Sequence, residues 1–211
     1  MRDDGSAGLA TVHSEIMTCA KCELHKSRKI AVPGEGPPDA RIMFVGEGPG
    51  QNEDEQGRPF VGAAGKLLTE LLESIGLNRA EVFITNIVKC RPPTNRAPRR
   101  SEVEACNPYL IEQIRLIKPR IVCALGTPAI TTLLGDEYSA TKAHGKPVPK
   151  DNVTILPMYH PAAALYDASL KEVLASDFRT LKELLEANAA LDKPVKDDDH
   201  AKGRETLEKW V

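Results

Sequence analysis

Two sets of residues in this 211-residue chain combine type and spacing in ways that do chemistry. The first set is sulfur. Cys19 and Cys22 form C-x-x-C in TCAKCEL, a spacing that lets two thiolates face one metal centre. Cys90 ends an apolar run, and Cys106 follows fifteen intervening residues later in EVEACNPYL. Four soft ligands suit zinc or an iron–sulfur cluster. A structural zinc site more often repeats a tight C-x-x-C or adds histidines, so the loose second pair favours a 4Fe-4S cluster, with zinc as the alternative. A third reading is a redox C-x-x-C beside two ordinary buried thiols. Cys123, inside RIVCALG, reads as an inert buried strand residue.

The second set opens in VGEGPGQNEDEQGRPF, Val45 to Phe60. Gly46, Gly48 and Gly50 are spaced like the start of a phosphate-cradling loop, but Glu47, Glu53, Asp54 and Glu55 crowd it with carboxylates. Phosphate loops collect backbone N–H groups and a lysine, not four acids. A carboxylate such as Glu47 can instead orient or deprotonate a water, or stabilise a cation. Gly48 and Gly50 leave the backbone open to a ligand. Phe60 either stacks on a planar ring or plugs the core. Asn86 offers one donor and one acceptor side by side, the pattern that reads an amide edge. His160, fixed by Pro161 in MYHP, brings an imidazole. His144, in AHGKPV, reads as an ordinary loop residue.

These residues need a scaffold that brings them together. Four short Val/Ile-rich runs recur along the chain: RIMFVG (41–46), VFITNIVK (82–89), RIVCALG (120–126) and VTILPM (153–158). Their length and content predict buried parallel strands. Helical patterns separate them. Residues 14–26 predict a short helix ending at the C-x-x-C. AGKLLTELLESIGL aligns Leu67, Leu68, Leu71, Leu72 and Ile75 on one face, with Gly76 past its end. SEVEACNPYLIEQIRLI opens on Ser101 with Glu104 three residues on, a capping-box pattern. TPAITTLLG and SLKEVLASDFRTLKELLEAN complete the set. The alternation predicts a three-layer α/β/α sandwich around a four-stranded parallel sheet. Residues 1–189 would form one domain and 190–211 a charged, mobile tail. Ligands of such folds bind beyond the carboxyl ends of the strands, which points to loops 46–60, 86–100, 126–129 and 159–166.

Composition narrows the classes further. The start, MRDDGSAGLA, lacks the charged and apolar regions of a secretory signal, and no apolar run approaches a membrane span. Five cysteines, an odd number, argue against a disulfide framework. The expectation is a cytoplasmic monomer that does not engage membranes. Net charge is −2, yet KCRPPTNRAPRR carries five basic residues and no acid, compatible with a local phosphate contact. A flat heterocycle with an imide edge, attached to a phosphate backbone, fits the assembled parts. Uracil in DNA meets these demands.

The sequence resembles the family 4, iron–sulfur uracil-DNA glycosylases. The resemblance covers about Cys19 to Leu185 and rests on TCAKCEL, GEGPGQNEDEQGRPFVGAAGKLL, TNIVKCRPPTNRAP, EACNPYL, the ALG strand end and MYHP. It implies an α/β/α fold and a 4Fe-4S cluster held by Cys19, Cys22, Cys90 and Cys106, largely structural in role. It further implies that Glu47 positions or activates water and that Gly48 contacts uracil through its backbone. Phe60 would stack, Asn86 would read the uracil edge, and His160 would hydrogen-bond O2 as charge develops. Glu53 would crowd uracil C5 and help reject thymine. The implied activity is monofunctional: uracil-containing DNA as partner, a flipped base, hydrolysis of the N-glycosidic bond and an abasic product. No sliding-clamp or repair-protein contact is assigned. Ala162 stands where serine commonly follows His-Pro, and Tyr166 where a basic residue is often found. RPPTNRAPRRSE lacks the inserted histidine loop of a branch that traps uracil covalently, so turnover is expected.

Overall fold

A computed structural model describes residues 3–191. Its centre is a sheet whose strands are buried on both faces, as their unbroken apolar runs require. Strands β1 (Ile42–Gly46), β2 (Phe83–Asn86) and β3 (Ile121–Leu125) have every residue buried. A three-residue strand, β4 (Val148–Lys150), precedes β5 (Val153–Met158). The order is β2-β1-β3-β5-β4. The four anticipated strands run parallel, but β4 adds an antiparallel edge and makes the sheet five-stranded. Edges tolerate the proline and lysine that hide β4 in the sequence.

Alternation along the strands divides the core in two. Met43 and Val45 face one side with Val122 and Ala124; Ile42 and Phe44 face the other with Ile121 and Cys123. The first side is covered by α1 (Asp3–Thr18), α4 (Arg100–Ile117) and α5 (Thr127–Leu134), the second by α3 (Ala63–Ser74) and α8 (Ser169–Leu191), with α2 (Gln51–Gln56) in the loop after β1. Phe44 stacks on Phe178 of α8 at 5.8 Å. Two short helices, α6 (Ala140–Ala143) and α7 (Ala163–Tyr166), complete the set. The three-layer expectation holds.

Local boundaries differ in instructive ways. α1 begins well before residue 14, because Leu9, Val12 and Ile16 form a buried stripe. It stops at Thr18, and Glu23–Lys26 is a separate 3₁₀ turn. β2 ends at Asn86, where the chain bends and the Ile87 and Val88 N–H groups donate to the Gly46 and Glu47 carbonyls. α4 starts one residue ahead of Ser101, so Glu102, not Glu104, accepts the Arg99 N–H at 2.7 Å. Glu104 pairs instead with Arg100. No described helix is long and apolar enough to cross a membrane. Most of the anticipated tail lies outside the described residues.

Candidate functional site

Glu47, Gly48, Glu53, Phe60, Asn86 and His160 all line one cavity of about 370 Å³ at the carboxyl ends of the strands. Glu47 follows the last residue of β1, and Asn86 is the last of β2, in register with Gly46. His160 follows β5 by two residues. Gly46 is where these parts meet. A β-carbon there would come within 2.5 Å of Asn86 Oδ1 and 2.7 Å of Phe60 Cζ. Only hydrogen fits.

Phe60 adopts a left-handed backbone (φ 50°), uncommon for a bulky residue. Surrounding contacts hold it there. The Arg79 guanidinium donates to the Pro59 carbonyl at 2.6 Å. Gly65 of α3 passes so close that any β-carbon would overlap the Phe60 carbonyl. The ring stacks on His160, with centroids 5.5 Å apart and planes 24° apart. Gly126, φ +83°, follows β3 beside His160 and gives its Cβ room.

Two polar groups have defined states. His160 Nδ1 lies 3.1 Å from the Ala162 N–H, which makes it an acceptor and leaves the proton on Nε2. Burial pushes the His160 pKa down to about 4, the Glu53 charge opposing only weakly, so the ring is neutral at pH 7. Asn86 is buried, and its Oδ1 has no hydrogen-bond partner among the described residues. A buried acceptor of this kind calls for a donor from a ligand. Burial also lifts the Glu47 carboxyl above the ordinary carboxylate range.

Glu53 does more than line the wall. Its Oε1 accepts the Val61 and Gly62 N–H groups at 2.8 and 2.9 Å, and Oε2 accepts Gly50 N–H at 3.1 Å. It thereby clasps both ends of the loop that presents Phe60. Nothing in the linear sequence points to this, because the three donors lie on either side of α2.

The cavity also takes Pro92, Asn95, Arg96 and Pro98 from the loop after β2, which reads in the sequence only as a charged stretch. Thr94 and Asn95 both have left-handed φ, and the TN pair is the one available signal. The five basic residues there are not equivalent. Lys89 is buried, Arg96 holds Glu102 with two hydrogen bonds, and Arg100 pairs with Glu104. Arg91 Nε donates to Asn95 Oδ1. His144 sits away from this rim, its Nδ1 3.0 Å from Asp177 Oδ1.

A second, small apolar cavity gathers Cys19, Cys22, Cys90 and Cys106. Cys19 and Cys22 flank the turn after α1, Cys90 follows β2, and Cys106 lies in the second turn of α4. Donors surround the sulfurs: Arg28 Nη1 at 3.0 Å from Cys90 Sγ, Lys89 N–H at 3.3 Å from Cys106 Sγ, and Lys21 N–H at 3.5 Å from Cys19 Sγ. Burial raises the Cys90 thiol and pushes Cys106 up to about 11. Among the described residues, no three His, Cys, Asp or Glu side chains close on the spacing of a single ion. Cys123 is fully buried in β3, apart from the other four.

An α/β/α sandwich with a largely apolar cavity at its strand ends, carrying a few convergent polar groups, defines a class, and comparison with known proteins names it. Residues 33–191 match the model of the uracil DNA glycosylase superfamily. The chain is 50% identical to the type-4 uracil-DNA glycosylase of Sulfurisphaera tokodaii over 83% of its own length and 84% of the relative's. The type-4 uracil-DNA glycosylases of Saccharolobus solfataricus and Archaeoglobus fulgidus are each 48% identical, over 84% and 81% of this chain and 86% and 89% of theirs. This chain belongs to the type-4 uracil-DNA glycosylase family.

Proposed function

We propose that this protein removes uracil from DNA by hydrolysing its N-glycosidic bond. The observation that carries this is the unpartnered, buried Asn86 Oδ1, which shares one cavity with the Phe60 ring and a histidine whose free tautomer position is a donor. Uracil presents the complement: an N3–H for Oδ1, and O4 for the amide of the same side chain. An extruded base stacks on Phe60 and lies against the Gly48 backbone. His160 Nε2–H donates to O2. As the C1′–N1 bond breaks, its electron pair moves onto the base, and the negative charge growing on O2 strengthens that hydrogen bond. Glu47 positions a water for C1′, takes its proton and stabilises the positive sugar. The base departs as its anion and takes up the proton that Glu47 accepted, by way of solvent, which gives free uracil, an abasic site and a regenerated carboxylate. The reaction ends at the abasic site, without a lyase step. Glu53, by fixing the loop wall beside the ring, is the residue that crowds C5 against a thymine methyl.

The four cysteines fit an iron–sulfur cluster better than zinc. Their cavity collects four sulfurs with no histidine or carboxylate among the described residues hydrogen-bonded to them, and its N–H and guanidinium donors suit electron-rich sulfur. Buried thiols with raised pKa values stay deprotonated only beside compensating positive charge, which a bound metal centre supplies. Cys19, Cys22, Cys90 and Cys106 would hold a 4Fe-4S group that fixes the loops around them. Reduced thiols in this number suit the cytoplasm.

The test is timed release of base from a uracil-containing oligonucleotide. Uracil should appear in solution, and strand cleavage only after alkali. Glu47→Gln should slow release by about 10²- to 10⁴-fold, and His160→Ala by about 10²- to 10³-fold. Binding of uracil-DNA without base release would assign a recognition module instead, and unchanged rates in both variants would overturn the roles of Glu47 and His160.

A further inference from the structure

Lys89 is the one fully buried lysine among the described residues, and it uses every polar group it has. Its ammonium donates to Thr85 Oγ1, to the Asn86 carbonyl at 2.8 Å and to Gln113 Oε1 at 2.7 Å. Three donors meet three acceptors. Its carbonyl accepts the Val32 N–H at 2.7 Å, and its own N–H donates to Cys106 Sγ at 3.3 Å. The acceptors are themselves braced: Thr85 Oγ1 and Gln113 Nε2 both donate to the Pro33 carbonyl, at 3.0 and 2.7 Å. Burying an ammonium is costly unless it is fully hydrogen-bonded, and a methionine would fill the same space without that demand. Something other than packing therefore accounts for the charge.

We propose that Lys89 is a positioning residue, its backbone fixed by the sulfur centre and its side chain holding the Asn86 carbonyl so that the Asn86 amide faces the base. The inference rests on the uracil reading of the cavity. β2 is an edge strand whose only strand partner among the described residues is β1, so the Asn86 peptide has ladder support on one side only. A cation on its carbonyl supplies the missing restraint. Because Lys89 precedes Cys90, the same residue ties that restraint to the cysteine cavity. Disturbance of the sulfur centre then reaches uracil recognition through one side chain.

A double-mutant cycle decides it. Lys89→Met, Asn86→Ala and the double variant are compared for kcat/KM on a uracil-containing oligonucleotide, and the visible absorbance of each purified protein is recorded. Lys89→Met should keep the absorbance of wild type and lose about 10- to 100-fold in kcat/KM, the scale of a small misplacement of a reactive group. The double variant should be no slower than Asn86→Ala alone. Additive losses, wild-type activity in Lys89→Met, or loss of its visible absorbance overturns the proposal, the last because the side chain would then serve the sulfur centre. If Lys89→Met does not fold, Thr85→Val carries the same cycle by removing one of the three acceptors. A loss of several-fold that vanishes in the Asn86→Ala background supports the proposal, and an additive or absent loss ends it. Wild-type protein separates the two levels. Failure of wild type to release uracil refutes the function, whereas normal release with additive losses refutes only the role of the lysine.

Discussion

Burial shifts the pKa values of Glu47 and His160 in opposite directions. Burial disfavours charge on both, which leaves the histidine neutral and the carboxyl readier to hold its proton. The acid limb of the pH–rate profile should therefore belong to Glu47 and lie above the ordinary carboxylate value of 4.5. Single-turnover rates measured against pH check this, and Glu47→Gln should abolish the limb with the activity. The same substitution should stabilise the fold at neutral pH. In the wild type the folded protein holds the Glu47 proton more tightly than the unfolded chain does, so the charged form costs stability above that pKa. Thermal melts should show Glu47→Gln above wild type at pH 7, with the gain shrinking as pH falls toward 4.5. Gly46→Ala tests the geometry. Its new methyl would strike both Asn86 Oδ1 and the Phe60 ring, and base release should fall at least 100-fold, roughly the cost of misplacing a recognition group.

At the scale of elements, the loops after β1 and β2 build most of the cavity, and each is held by a residue whose role the sequence conceals. Glu53 accepts three backbone N–H groups from both ends of the first loop. Glu53→Ala strands those donors, at about 1–3 kcal/mol, and the melting temperature should drop by roughly 2–10 °C for a chain of this size. Differential scanning calorimetry measures it. Strand runs are legible because buried parallel strands are Val/Ile-rich throughout, and the position of Glu47, Asn86 and His160 at their ends follows from that. β4 is not legible: three residues with a proline and a lysine carry no pattern, and pairing with β5 alone defines them. Lys89 reads, with the arginines after it, as a phosphate-facing charge. Linear sequence shows charge but not direction, and this side chain turns inward to Thr85 and Gln113. The stripe of α1 escapes notice because three apolar residues are diluted among polar ones.

Across the whole molecule, the two cavities draw their linings from the same segment, Asn86 to Cys106, which predicts that they loosen together. Removing the proposed cluster with a chelator should bleach the visible colour and open the backbone at Arg91, Arg96, Arg99 and Arg100 to cleavage by trypsin, while the sheet resists. Limited proteolysis followed by mass spectrometry reads this directly, and a protein whose loop stays protected without its metal would contradict the coupling. His160 sets a second whole-molecule property. Its folded pKa of about 4 lies below the ordinary 6.5, so the unfolded chain binds the proton first as acid is added. Stability should decline as pH falls from 6.5 to about 4 on this account, then change no further from this group. His160→Ala should flatten that part of the curve, measured by denaturant melts at several pH values.

The four clustered cysteines span residues 19 to 106, while the central strand β3 begins at Ile121. On a ribosome, then, all four have been synthesised before the strand that closes one side of β1 exists. The nascent chain then carries all four clustered cysteines together with an open sheet edge. Iron loading in that interval would fasten the first half of the protein early and shorten the time for which β1 can pair with the wrong neighbour.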